Sequence, residues 1–151
     1  MRIRESFDRS RIALELKSEN RDDVLGELVA LLALGEPAAS RILAAIVDRE
    51  SIGSTGIGER VAIPHCRTND VDRLHIAYGR KNSGIEFAAI DGLPARHFFL
   101  IVAPHGDAGG AYLTTLAQVA QLCKRTGVLA RLETLATADE FLALLEERNP
   151  V

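Results

Sequence analysis

The run HFFLIVAP, residues 97–104, constrains this chain more than any other stretch. It is almost continuously apolar, so as a strand it leaves no face for solvent. It is also far shorter than the ~18 apolar residues that a membrane span requires. A chain that contains such a strand must cover it above and below. The rest of the sequence supplies the covers.

Four segments have helical spacing. RDDVLGELVALLAL brings Val24, Leu25, Leu28, Val29 and Leu32 to one face, with Asn20 placed to cap it and Asp22 and Asp23 suited to the positive end of its dipole. AASRILAAIVDRE aligns Ile42, Leu43, Ile46 and Val47. AYLTTLAQVAQLCK aligns Leu113, Leu116, Ala120 and Cys123. A last helix opens at TADE, where Thr137 and Glu140 have capping-box spacing, and buries Phe141, Leu142, Leu144 and Leu145. Strands are expected at RIALEL (Ile12, Leu14 and Leu16 alternating), VAI, RLHIAYG and the central run, with a short extension at GIEF and a turn at DGLP. The order is not a regular alternation of strand and helix. The expectation is therefore an α/β fold with a mixed sheet and helices on both faces, in one domain over 1–151 with its core at about 11–148.

The remaining bulk properties remove function classes. A net charge of -3 over 151 residues advertises neither nucleic acid nor an anionic membrane as partner. The N-terminus MRIRESFDRSR is charged and lacks an apolar signal region, so a cytoplasmic protein with no membrane insertion is expected. Cys66 and Cys123 have no metal-site spacing, and no metal or organic cofactor is expected.

The chemistry is concentrated in GSTGIGERVAIPHC, residues 53–66. Glycines let backbone N–H groups approach an anion, and Ser54 and Thr55 add hydroxyl donors. The dinucleotide and P-loop fingerprints both fail, because Val61 stands at the third glycine position and no Lys-Ser/Thr pair follows. His65 behind Pro64 points elsewhere. A neutral imidazole can attack phosphorus and carry the phosphoryl group covalently. Such transfer asks the protein chiefly for positioning and for positive charge, which Arg49 could supply.

RESIGSTGIGERVAIPH, residues 49–65, resembles the active-site signature of the phosphotransferase-system IIA domains of the fructose/mannitol type, a family that includes the nitrogen-regulatory IIA proteins. Arg49, Glu50, Ser54, Thr55, Gly56, Ile57, Gly58, Ala62, Ile63, Pro64 and His65 carry the resemblance, and it extends from about residue 11 through DGLPARHFFLIVAP and TADEFLALLEE. It implies the family's mixed sheet flanked by helices. It implies that His65 accepts the phosphoryl group, that Arg49 steadies it, and that Ser54, Thr55, Gly56 and Gly58 line the phosphate site. The donor would be an HPr/NPr-like histidine phosphocarrier, and the output would be contacts with regulatory protein targets.

One departure stands out. The family usually carries a second active-site histidine ahead of a leucine at the start of the helix after the AP loop; here Tyr112 precedes Leu113. His105 could partly substitute, but a solvated loop histidine is the expected reading; Cys66, directly after His65, could make the site redox-sensitive, but a plain small-residue role is expected; and Glu59 is expected to face solvent. His75 and His97 receive no role. Three functions are consistent with these residues: a nitrogen-regulatory phosphocarrier, a fructose/mannitol uptake component, and a binding module that no longer transfers phosphate.

Overall fold

A computed structural model describes residues 3–106 and 110–147. Two short 3-10 turns, Ile3–Ser6 and Arg9–Arg11, lead into strand β1 (Ile12–Ala13) and then helices α1 (Arg21–Leu31) and α2 (Ala38–Ile52). Three short strands follow, β2 (Gly56–Gly58), β3 (Val61–Ala62) and β4 (His65–Thr68), and then two long ones, β5 (His75–Ile85) and β6 (Ala95–Pro104). Helices α3 (Ala111–Lys124), α4 (Val128–Thr134) and α5 (Ala138–Glu146) close the described chain.

The central apolar run is β6, at the middle of a six-stranded mixed sheet ordered β1-β5-β6-β3-β2, with β4 also on β6. β5 pairs with β6 antiparallel; β3 and β4 pair with it in parallel, one along each half of the same edge. Helices cover both faces, as the run required. Phe99, Ile101 and Ala103 enter one core with Tyr78, Tyr112, Val119, Leu132 and Phe141, under α3, α4 and α5. Phe98, Leu100 and Val102 enter the other with Leu25, Leu28, Ile42 and Ile46, under α1 and α2. The two caps read from the sequence are present. Asn20 accepts from the Asp23 N–H, and Thr137 and Glu140 form the reciprocal box.

Several elements differ from the sequence expectation, among them the helix α4, which the sequence reading did not single out. The first strand is only two residues long, because the Leu14 carbonyl is taken by the Arg80 Nε–H at 3.0 Å and not by the ladder. Conversely, the glycine run and the residues after Pro64, which have little intrinsic strand preference, become β2 and β4 because β3 and β6 offer them partners.

One buried pair sets an acid limit on this core. Tyr78 Oη and His97 Nδ1 lie 2.8 Å apart. His97 is 1% exposed, and its Nε2 has no partner among the described residues. Burial, the leading cause, lowers the imidazole pKa to about 4. The unfolded chain, titrating near the ordinary 6.5, therefore binds more protons between those values, so stability is complete above pH 6.5 and falls as pH drops toward 4. The expected loss is about 3 kcal/mol. His75, whose pKa burial and then Arg11 and Arg73 lower, acts with the same sign. Glu36, held low by hydrogen bonds from Ser40, contributes only below its ordinary 4.5. Denaturant unfolding from pH 7 to 4 should show this slope, and His97→Gln should flatten it.

Candidate functional site

Pro64 joins β3 to β4. Having no N–H, it cannot donate to the sheet, but its carbonyl accepts from the Ile101 N–H at 3.0 Å, so the chain stays on β6 through the junction. His65 is the first residue of β4, in register with Ile101. Its Nδ1 lies 2.6 Å from the Ile63 carbonyl oxygen. A carbonyl only accepts, so Nδ1 carries the proton and the neutral ring keeps its lone pair on Nε2. The ring is half-buried.

Tyr112, in the first turn of α3, faces it. The two ring centroids are 5.8 Å apart and tilted by 59°. The Arg67 guanidinium carbon sits 4.6 Å from the centroid of the same tyrosine ring. Burial raises the phenol pKa first, Cys66 adds to that, and the positive charges of Arg67 and Arg49 oppose it, so both guanidiniums act on this spot. Arg49 comes from the last turn of α2, where one arm donates to the Gly53 carbonyl at 2.7 Å.

The glycine loop is built differently from the donor cradle that the sequence suggested. Ser54 Oγ donates to the Phe87 carbonyl and accepts from the Gly56 N–H at 2.9 Å. Thr55 directs both its N–H and its hydroxyl to the carboxylate of Glu50, which is only 4% exposed. These donors are therefore spent on holding the loop. Gly56 is needed for close approach: a Cβ there would stand 2.9 Å from Ala89 Cβ. Gly58 has φ of 88°, and Glu59 and Arg60 after it also have positive φ, forming a turn that Asp91 secures by accepting from the Glu59 N–H at 2.8 Å. Glu59 itself is exposed.

A family model described as "Phosphoenolpyruvate-dependent sugar phosphotransferase system, EIIA 2" matches residues 5–148. The chain belongs to this EIIA family. Among relatives, it is 32% identical to the fructose-specific EIIABC component of Bacillus subtilis over 99% of its own length, spanning 24% of that protein. It is 30% identical to the nitrogen regulatory protein of Pseudomonas aeruginosa, covering 96% of this chain and 95% of that one. Among solved structures, the nitrogen regulatory protein IIA-Ntr of Neisseria meningitidis superposes with a TM-score of 0.87 at 29% identity, over 95% of this chain and 98% of that one.

Within this EIIA domain the structure sets His65 against Tyr112, and Arg49 is near enough for its charge to act on that tyrosine. His105 lies exposed on the turn after β6, and no described contact joins it to His65. Cys66 points into the opposite core from His65, and burial pushes its thiol pKa up to about 11. So little thiolate at neutral pH does not suit a redox switch. Among the described residues, no helix is long and apolar enough to cross a membrane, and no cluster of His, Cys, Asp and Glu could hold a metal ion. Arg67 and Asp91 escaped the sequence reading. Arg67 stands two residues past His65, a spacing that puts both on one strand face, but the signal becomes legible only once β4 is known to be a strand.

Proposed function

We propose that this EIIA domain accepts a phosphoryl group on His65 Nε2 from an HPr/NPr-like histidine phosphocarrier and acts as a nitrogen-regulatory IIA protein. The observation that carries the reading is the Nδ1–H donation from His65 to the Ile63 carbonyl. It fixes the tautomer and aims a lone pair outward. In the transfer, that lone pair forms the new N–P bond while the carrier's N–P bond breaks, its electron pair returning to the carrier's imidazole. The His65 ring becomes cationic, and the Ile63 carbonyl, already bonded to Nδ1–H, stabilises that charge. Arg49 supplies a guanidinium for the phosphoryl oxygens. The glycine loop braces the chain leading to His65: the Thr55 carbonyl accepts from the Ile63 N–H at 3.1 Å, Glu50, Ser54 and Thr55 hold the loop internally, and Gly56 is its point of close approach to Ala89.

Leu113, beside Tyr112, is an exposed apolar side chain that suits a transient partner. Phosphorylation adds about -1.5 to -2 charge at this site, enough to change which protein docks there. The extent of likeness to the nitrogen regulatory proteins supports the regulatory role. The 32% identity to a fructose-specific component supports a second reading as an uptake component.

The test is incubation with phosphoenolpyruvate, the upstream enzyme and the carrier, followed by mass spectrometry. One acid-labile phosphoryl group per chain, mapped to His65, is expected. Onward transfer to a fructose-type IIB domain would move the assignment to uptake; absence of any adduct would sink both readings.

A further inference from the structure

We propose that Arg67 is a second cation for the phosphoryl group on His65, and that Tyr112 is the platform that positions it. The inference rests on the reading of His65 as the acceptor.

The strand geometry supplies the first reason. His65 and Arg67 alternate with buried Cys66 along β4, and their register partners on β6 are Ile101 and Ala103, both in the core beneath α3. Their side chains therefore leave the same face of the sheet, about 7 Å apart at the backbone. Tyr112 comes down onto that face from α3 and touches both, at 5.8 Å ring to ring with His65 and 4.6 Å from the Arg67 guanidinium.

Chemistry supplies the second. An arginine on an exposed strand end is rotamerically free and costs entropy to fix. Stacking on an aromatic face offsets part of that cost, by ~0.5–1 kcal/mol at exposed sites and more when desolvated. The phenol ring is 9% exposed, so it cannot swing away with the arginine. A guanidinium over a ring face makes no hydrogen bond to it and keeps its N–H groups available for phosphoryl oxygens. The phenol stays neutral at physiological pH, since burial raises its pKa, and so adds no repulsion against a dianion.

Division of labour supplies the third. Arg49 spends one arm on the Gly53 carbonyl, and no carboxylate ion pair engages Arg67 among the described residues. A phosphoryl group on Nε2 would meet Arg49 from the end of α2 and Arg67 from β4. Tyr112 is thus a positioning residue whose aromatic face matters, and Arg67 a phosphoryl-contacting one.

The experiment is single-turnover transfer from the phosphorylated HPr-type carrier at saturating and sub-saturating carrier, for the unmodified chain, Arg67→Ala, Arg67→Lys, Tyr112→Leu and the double variant Arg67→Ala/Tyr112→Leu. Circular dichroism melts accompany each protein. Arg67→Ala should lower the saturated transfer rate by about tenfold, on the low side of what a lost transition-state donor costs because the position is exposed. Arg67→Lys should recover part of the rate through its charge. Tyr112→Leu should fall toward Arg67→Ala, and the double variant should fall no further than the lower single one, since the two act as a unit. A saturated rate within about twofold of the unmodified chain in Arg67→Ala, or a change confined to carrier affinity, overturns the proposal while leaving His65 as acceptor. Failure of the unmodified chain to accept phosphate overturns the underlying reading and the proposal with it.

Discussion

A His65→Ala protein should take up no acid-labile phosphoryl group under conditions that label the unmodified chain completely. The effect is all-or-none, because the substitution removes the atom that forms the N–P bond and not merely an interaction that favours it. The chain has four histidines, and their environments predict that none of the others substitutes. His75 and His97 are buried, with their protonated forms disfavoured. His105 is exposed, but no described contact places it beside His65, Tyr112 or a guanidinium. The variant should fold normally. His65 is only half-buried, and the bond from its Nδ1 to the Ile63 carbonyl contributes about 1 kcal/mol, which solvent partly restores once the ring is gone. Mass spectrometry after incubation with phosphoenolpyruvate, upstream enzyme and carrier, beside a thermal melt, separates the possibilities. An adduct that persists at His105 in a normally melting variant would show that the acceptor is misassigned.

The parts of this molecule that were readable beforehand are those where side chains report their own environment. The run at 97–104 had to be covered on both faces, and the two cores divide its residues alternately between them. Asn20, Thr137 and Glu140 announced helix starts because capping is a local transaction between residues three apart. The meeting of His65 with Tyr112 was accessible only through resemblance, since those residues come from β4 and α3. The braces of the loop were opaque for a related reason. Nothing in the letters of Ser54 and Thr55 tells whether their hydroxyls face a ligand or the protein. Glu50, buried at the end of α2, and the carbonyl of Phe87, 33 residues onward, decide that they face the protein. Arg67 was hidden by the shortness of β4, a strand that exists because β6 has an open edge beyond Pro64. The shortened β1 depends likewise on a distant residue, Arg80, claiming one of its carbonyls.

That arginine carries the second large expectation. Arg80→Met should destabilise the fold by about 3–5 kcal/mol, a large part of the 5–15 kcal/mol typical of a domain. Arg80 is 7% exposed, and its guanidinium donates to three carbonyls that no strand or helix satisfies: Leu14 at 3.0 Å, Leu132 at 2.9 Å and Leu135 at 2.8 Å. It therefore fastens the chain just past β1 to the C-terminal end of α4, where a positive charge also suits the helix dipole. Methionine replaces the apolar stem but leaves these oxygens unpaired, and a buried unsatisfied group costs about 1–3 kcal/mol. Leu14 is near enough to solvent to recover some of that, which holds the total below the sum of three full penalties. In a protein of this size, melting should fall by roughly 10 °C. Phosphoryl transfer measured well below the melting point should survive, because Arg80 pairs with His97 whereas His65 pairs with Ile101, four residues or about 13 Å further along β6. A drop of less than about 1 kcal/mol would mean that water replaces the guanidinium at all three carbonyls. Lost transfer with an unchanged melt would move Arg80 from the framework into the site, against its distance from His65.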